Sequence, residues 1–199
     1  SLRRLSEQGG LKMKESKVEL TERHKAYTQA LKDKDLKPVL ALGSPGTGKT
    51  YMAVGEAVDW ISKSNKHKVI VVRPNVSFAD TLGYTKGTTR DKLAGWIKPI
   101  EDAFCQHEFN LNMQECAEKN GQLEYVPLEE IQGRSWDNAL IILDECENMT
   151  FSQLRVFMTR IGRYSKAVLC GDIAQTSPKF KKAGLAEFKE MCEELDMPI

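Results

Sequence analysis

Eight consecutive residues, Gly43-Ser44-Pro45-Gly46-Thr47-Gly48-Lys49-Thr50, set glycines, a lysine and a hydroxyl in the spacing G-x-x-x-x-G-K-[ST]. Glycines at these positions let the backbone curl so that successive N–H groups point inward, and a helix opening behind them adds the positive end of its dipole. A triphosphate fits such a nest. Lys49 is then placed to reach the β and γ phosphates, and the Thr50 hydroxyl to coordinate Mg²⁺ beside the phosphate oxygens. The four constrained positions match by chance in a chain of this size with odds on the order of 1%.

A second group follows an apolar run: Leu140-Ile141-Ile142-Leu143 ends in Asp144-Glu145. A buried strand that delivers an aspartate at its C-terminal end puts a carboxylate where the shell of a phosphate-bound metal must lie. Asp144 is the metal residue in this reading. Glu145 is the candidate general base, suited to polarise a water for in-line attack on the γ phosphate. A third group, Cys170-Gly171-Asp172-Ile173-Ala174-Gln175, again lies just past an apolar run, and Gln175 is the candidate reporter of the terminal phosphate. Charge in the transition state calls for an arginine. Arg134, Arg160 and Arg163 are all candidates, with Arg160 the working assignment, while Arg73 stands apart before Pro74.

The elements that must position these groups are legible from hydropathy. Runs at 39–42, 68–72, 139–143 and 167–170 are nearly continuous and apolar, as strands covered on both faces are. Helical spacing follows at 49–63, 151–162 and 182–195. The alternation predicts an α/β fold with a mainly parallel sheet flanked by helices. Residues 75–137 form an insertion between the second and third core strands, with helical patterns at 91–105 and 108–119 and a strand-like 123–126. Before Pro38, ten Lys and Arg against six Asp and Glu make a basic arm, and 20–31 within it has the spacing of a short helix with Thr21 as a candidate N-cap. The expected division is therefore an N-terminal arm and helix over 1–37 and a nucleotide-binding domain over 38–199.

Composition narrows the classes. An apolar share of 41% and a charged share of 29% are those of a folded globular chain. A net charge of +1 excludes a bulk polycation. Five cysteines without a Cys-x-x-Cys pair predict free thiols, and three histidines without a His-Glu-x-x-His spacing argue against a metal held by protein ligands alone. No apolar run is long enough to cross a membrane, and no leader pattern opens the chain, so a cytoplasmic location is expected. The Ser-Leu-Arg-Arg start carries no initiator Met, as in a processed product or an excerpt of a longer protein.

Taken in order, the motifs resemble the PhoH-like family of P-loop ATPases, whose core is similar to that of superfamily 1 helicases. The resemblance runs from about Leu20 to Leu185 through Val71-Val72-Arg73-Pro74, Gly133-Arg134-Ser135, Asp144-Glu145, Thr150-Phe151-Ser152-Gln153, Met158-Thr159-Arg160, Gly171 to Gln175 and Gly184-Leu185. It implies a RecA-like P-loop NTPase core, ATP and Mg²⁺ as ligands, ATP hydrolysis, and a link to RNA or single-stranded DNA. It also places His24 in the slot of an adenine-reading motif where glutamine is usual, and Glu147 where the family carries Gln. No arginine motif follows Gly184-Leu185, so that arginine is expected either beyond Ile199 or from a neighbouring subunit, and a homo-oligomer, possibly a ring, is expected for a motor of this size. Two other functions use the same loop: a nucleotide-switched protein-interaction module and a small-molecule kinase. The acidic pair and the Gly171 to Gln175 group, which equip the site to activate water, favour hydrolysis over the kinase.

Overall fold

The structure is a computed structural model that describes residues 21–74, 89–175 and 184–195. Five parallel strands form one sheet: β1 (Val39–Leu42), β2 (Lys68–Arg73), β3 (Leu123–Pro127), β4 (Ala139–Leu143) and β5 (Lys166–Gly171), in the order β1-β5-β4-β2-β3. The six α-helices described are α1 (Glu22–Lys32), α2 (Lys49–Ser62), α3 (Thr89–Gln106), α4 (Leu111–Lys119), α5 (Phe151–Met158) and α6 (Leu185–Glu194). The α/β class and the parallel sheet stand as the hydropathy predicts.

Alternation along each strand explains the layering. Ala41, Val69, Val71, Leu140, Ile142, Val168 and Cys170 face a core closed by α1 to α4. Their neighbours Leu40, Ile70, Val72, Ile141, Leu143 and Leu169 face the opposite core, closed by α5 and α6. Both faces are apolar because both are covered, so the strand runs read as continuous rather than alternating.

Three local outcomes refine the reading. The insertion is not a satellite: its strand β3 pairs in parallel with β2 and forms one edge of the sheet. The arm's helix is likewise docked, with Thr21 as its N-cap and Leu31 in the core, while residues 1–20 lie outside the described residues. Finally, α5 stops at Met158, short of the 162 that its spacing suggests. Trp136 pairs with Ile161 as an isolated bridge, and a side chain at Gly162 would run into the Trp136 carbonyl at 2.6 Å, so the chain must leave the helix to pass Trp136.

Candidate phosphate-binding site

Because the strands are parallel, their C-terminal ends meet at one edge, and the candidate residues meet there too. The phosphate loop follows β1, Arg73 ends β2, Asp144 follows β4 and Asp172 follows β5. Gly43 N–H donates to the Gly171 carbonyl at 3.2 Å, stitching the loop to β5. Around them lies a cleft of about 470 Å³ lined by Gly46, Lys49, Thr50, Arg73, Asp144, Glu145 and Asp172, with Pro99, Ile100 and Ala103 of α3 as an apolar wall.

The loop has the curl its glycines predict. Gly46 and Gly48 take φ of 74° and 81°, left-handed conformations that any side chain would strain. Gly48 is also the N-cap of α2 and supplies no capping side chain, so the first N–H groups of that helix remain available to an anion. Lys49 Nζ donates to the carbonyls of Gly43 at 2.5 Å and Ser44 at 2.9 Å, which holds the ammonium over its own loop.

Thr50 and Asp144 come together as the motif pair requires. Thr50 Oγ1 donates to Asp144 Oδ1 at 2.8 Å, from the first turn of α2 to the end of β4. Next along, Glu145 takes φ of 53°, the left-handed region again, in a residue that is not glycine. Such strain persists where surrounding contacts over-determine it. Here it turns the carboxylate toward Arg73, whose Nη2 donates to Glu145 Oε1 while Nη1 lies 3.8 Å from Asp144 Oδ2. Burial pushes the Glu145 carboxyl above its ordinary range; the Arg73 charge opposes that shift, and Asp144 adds to it.

Glu147 points inward rather than adding a solvated charge. Its Oε2 accepts from the Asp172 N–H at 3.2 Å, tying the end of β5 to the turn after β4. Asp172 Oδ1 in turn accepts from Ala174 N–H at 2.9 Å, which starts the 3₁₀ turn Ile173–Gln175. The side chain of Gln175 lies outside the described residues. Burial also pushes the Cys170 thiol up to about 12, so the cleft floor presents a neutral sulfur and no charge against a phosphate.

His24 is placed on the loop rather than beside it. Its ring is the N3 member of a capping box with Thr21, and Nε2 lies 3.1 Å from the Thr47 carbonyl. A carbonyl only accepts, so Nε2 carries the proton, and Nδ1 is left to accept from the Thr21 N–H. Three residues on, Tyr27 donates its hydroxyl to the Lys49 carbonyl at 3.0 Å. Both contacts secure the phosphate loop from α1.

Arg160 is not brought to the cleft. It ends the turn after α5, where its carbonyl accepts from Trp136 N–H and its Nη1 donates to the Arg134 carbonyl, at the edge where β4 and β5 begin. The five residues of β4 put about 16 Å between that edge and Asp144. Arg163, whose carbonyl accepts from Asn138 N–H, sits at the same edge. Among the described residues, Arg73 is the arginine that lines the cleft. Its placement depends on β2 lying beside β4, and only the order of strands in the sheet carries that signal.

Known proteins resemble this chain along most of its length. The family model described as PhoH-like protein matches residues 18–197. A PhoH-like protein of Bacillus subtilis is 38% identical over 172 residues, which cover 85% of this chain and 53% of that protein. Protein PhoH of Escherichia coli is 31% identical over 86% of this chain and 48% of its own length, and a PhoH-like protein of Synechocystis is 33% identical over 83% and 50%. The chain thus spans about half the length of the curated relatives it matches. Among solved structures, the N-terminal domain of the DNA packaging ATPase from bacteriophage phi29 superposes with a TM-score of 0.43 at 15% identity, covering 73% of this chain and 79% of that one. With nine-tenths of its sequence under that family model and relatives above 30% identity along most of its length, the chain belongs to the PhoH-like family.

Proposed function

We propose that this chain binds ATP with Mg²⁺ and hydrolyses it, in contact with single-stranded RNA or DNA. The observation that carries the hydrolytic reading is the hydrogen bond from Thr50 to Asp144, with Glu145 the next residue along. A hydroxyl and a carboxylate oxygen 2.8 Å apart are hard donors of the kind Mg²⁺ takes, and two protein ligands leave the rest of its shell to phosphate and water. When bound, the ion supplies neutralisation of charge on the β- and γ-phosphate oxygens.

The chain's own groups do the remaining work. Backbone N–H groups of the loop and of the first turn of α2 hold the phosphates, and Lys49 leaves its loop carbonyls for the β and γ oxygens. Glu145 accepts a proton from a water as the water oxygen bonds to the γ phosphorus, while the bond from that phosphorus to the bridging oxygen breaks toward ADP. Arg73 balances the acidic pair and, lining the same cleft as the phosphate loop, serves the terminal phosphate. Gln175 reads whether that phosphate is present. His24, fixed on α1, stands on the adenine side. Arg160, at the far edge of the sheet, serves hydrolysis only from a neighbouring subunit.

The nucleic-acid link and the oligomer rest on the family resemblance. One core grips a strand at a single point, so movement along it requires several copies. The test is turnover of ATP and GTP with and without single-stranded RNA and DNA, on the wild type, K49A and E145Q. K49A is expected to lose nucleotide binding. E145Q is expected to keep it and lose about 10² to 10⁴ in turnover, the usual worth of a general base. ATP bound but not turned over by the wild type would point instead to a nucleotide-switched interaction module.

A further inference from the structure

Lys166 opens β5 and is 1% exposed, a burial that lysine seldom reaches. Its ammonium has three N–H donors, and each has an acceptor: the carbonyls of Ala30 at 2.5 Å, Leu31 at 2.9 Å and Asp33 at 3.1 Å. These are carbonyls of the last turn of α1 and its cap, where a helix end leaves acceptors open and its dipole is negative; the Ala30 carbonyl also accepts from the Asp33 N–H at 3.4 Å. The buried charge is thus matched by a helix terminus. Asp33 and Asp35 beside that terminus and Glu56 on α2 add carboxylates in its field.

The first turn of α1 carries His24 and its middle carries Tyr27, which hold the Thr47 and Lys49 carbonyls of the phosphate loop. The helix therefore spans from Lys166, where β5 begins, to the loop beside Gly171, where β5 ends. Eleven residues of α-helix cover about 16 Å, close to the length of β5. The C-terminal end of this strut is held by the Lys166 ammonium together with Leu31, which is buried in the core.

We infer that Lys166 is a positioning residue for nucleotide binding: by holding the C-terminal end of α1, it sets the height at which His24 and Tyr27 meet the phosphate loop. The inference rests on the ATPase reading and adds to it a residue at the opposite edge of the sheet. It touches no substrate and acts through α1.

The experiment compares wild type, K166M, H24A and the double variant in the 199-residue chain. It measures KM and kcat for ATP, affinity for a fluorescent ATP analogue, and thermal unfolding. K166M is expected to raise KM and weaken analogue binding about tenfold, the worth of one to two net hydrogen bonds, with kcat nearly unchanged. H24A added to K166M is expected to raise KM little further, because both act through one helix. A K166M chain that melts earlier but keeps wild-type KM and analogue affinity would overturn the inference, as would fully additive effects of K166M and H24A. If K166M does not fold, K166Q keeps two donors and is read by the same criteria. A wild-type chain that binds no ATP would overturn the ATPase reading and this inference with it, whereas the variant outcomes overturn this inference alone.

Discussion

The Thr50 hydroxyl meets the Asp144 carboxylate at 2.8 Å, joining the phosphate loop to a strand end 94 residues away in sequence. Parallel strands make the meeting unavoidable: β1 and β4 flank β5, and the residues after both strands emerge at one edge. The hydroxyl also satisfies one oxygen of a carboxylate that is only 13% exposed.

Replacing Thr50 by valine keeps the shape and removes the oxygen. Asp144 then loses a hydrogen bond and the metal pair loses a member. T50V is expected to fold, to bind nucleotide weakly in the presence of Mg²⁺, and to turn over ATP at least ~10-fold more slowly, from a charge-assisted bond worth about 1.5–3 kcal/mol. Adding Mg²⁺ at rising concentration checks the cause. Recovery of turnover at high Mg²⁺ supports a weakened ion site, and turnover equal to the wild type at every concentration would remove Thr50 from it.

The two arginines give opposite expectations. Arg73 pairs with both carboxylates at the cleft, while Arg160 sits about a strand length away. R73M leaves Asp144 and Glu145 adjacent without their cation and is expected to lower turnover by ~10- to 100-fold, as loss of an oriented charge in a catalytic site does. R73K is expected to recover part of that, because an ammonium supplies charge without the two-pronged geometry. At protein concentrations where the chain is monomeric, R160A is expected to stay within about twofold of wild type. Steady-state hydrolysis of the three variants decides between the arginines.

What could be read in advance follows from how local each signal is. The loop of Gly43 to Thr50 and the run ending at Asp144 are contiguous, and their chemistry is that of backbone curl and strand end, so the sequence suffices. Thr21 as an N-cap is equally local. Arg73 requires the adjacency of β2 and β4, which the hydropathy of neither strand contains. Lys166 looks like an ordinary charged residue ahead of an apolar run, since its partners are more than 130 positions away. Glu147 looks like an added charge, and only the turn after β4 shows it facing the Asp172 N–H.

Glycines test the packing directly. A side chain at Gly184 would lie 1.9 Å from Phe151 N, and one at Gly171 2.6 Å from Cys146 Sγ and 3.2 Å from Glu147 Oε2. G184A must part the starts of α5 and α6 and is expected to lower stability by several kcal/mol, beyond the ~1–3 kcal/mol of ordinary overpacking. G171A pushes on the groups that hold Asp172 and is expected to lower turnover as well as stability. At Gly95, in α3, an added side chain meets nothing within 4 Å, and G95A is expected to gain up to about 1 kcal/mol from helix propensity. Denaturant unfolding of the three variants measures this, and a stabilised G184A would show the α5–α6 contact to be misplaced.

Glu56 on α2 couples stability to pH. It is 7% exposed, and Lys63 Nζ lies 3.7 Å from its Oε1. Burial raises its carboxyl above the ordinary value of 4.5, more than the Lys63 charge lowers it. Between 4.5 and the raised value the folded chain holds a proton that the unfolded chain has released. The contribution of Glu56 is therefore fully present below 4.5 and is lost as pH rises through the folded value. Glutamine keeps the shape and cannot ionise, so E56Q is expected to melt higher than wild type at pH 7, by roughly 2–4 °C for each kcal/mol relieved. Near pH 4 the two should melt together. Melting curves from pH 4 to 8 test the sign: if E56Q melts lower than wild type at pH 7, the ion pair with Lys63 outweighs the cost of burying the charge.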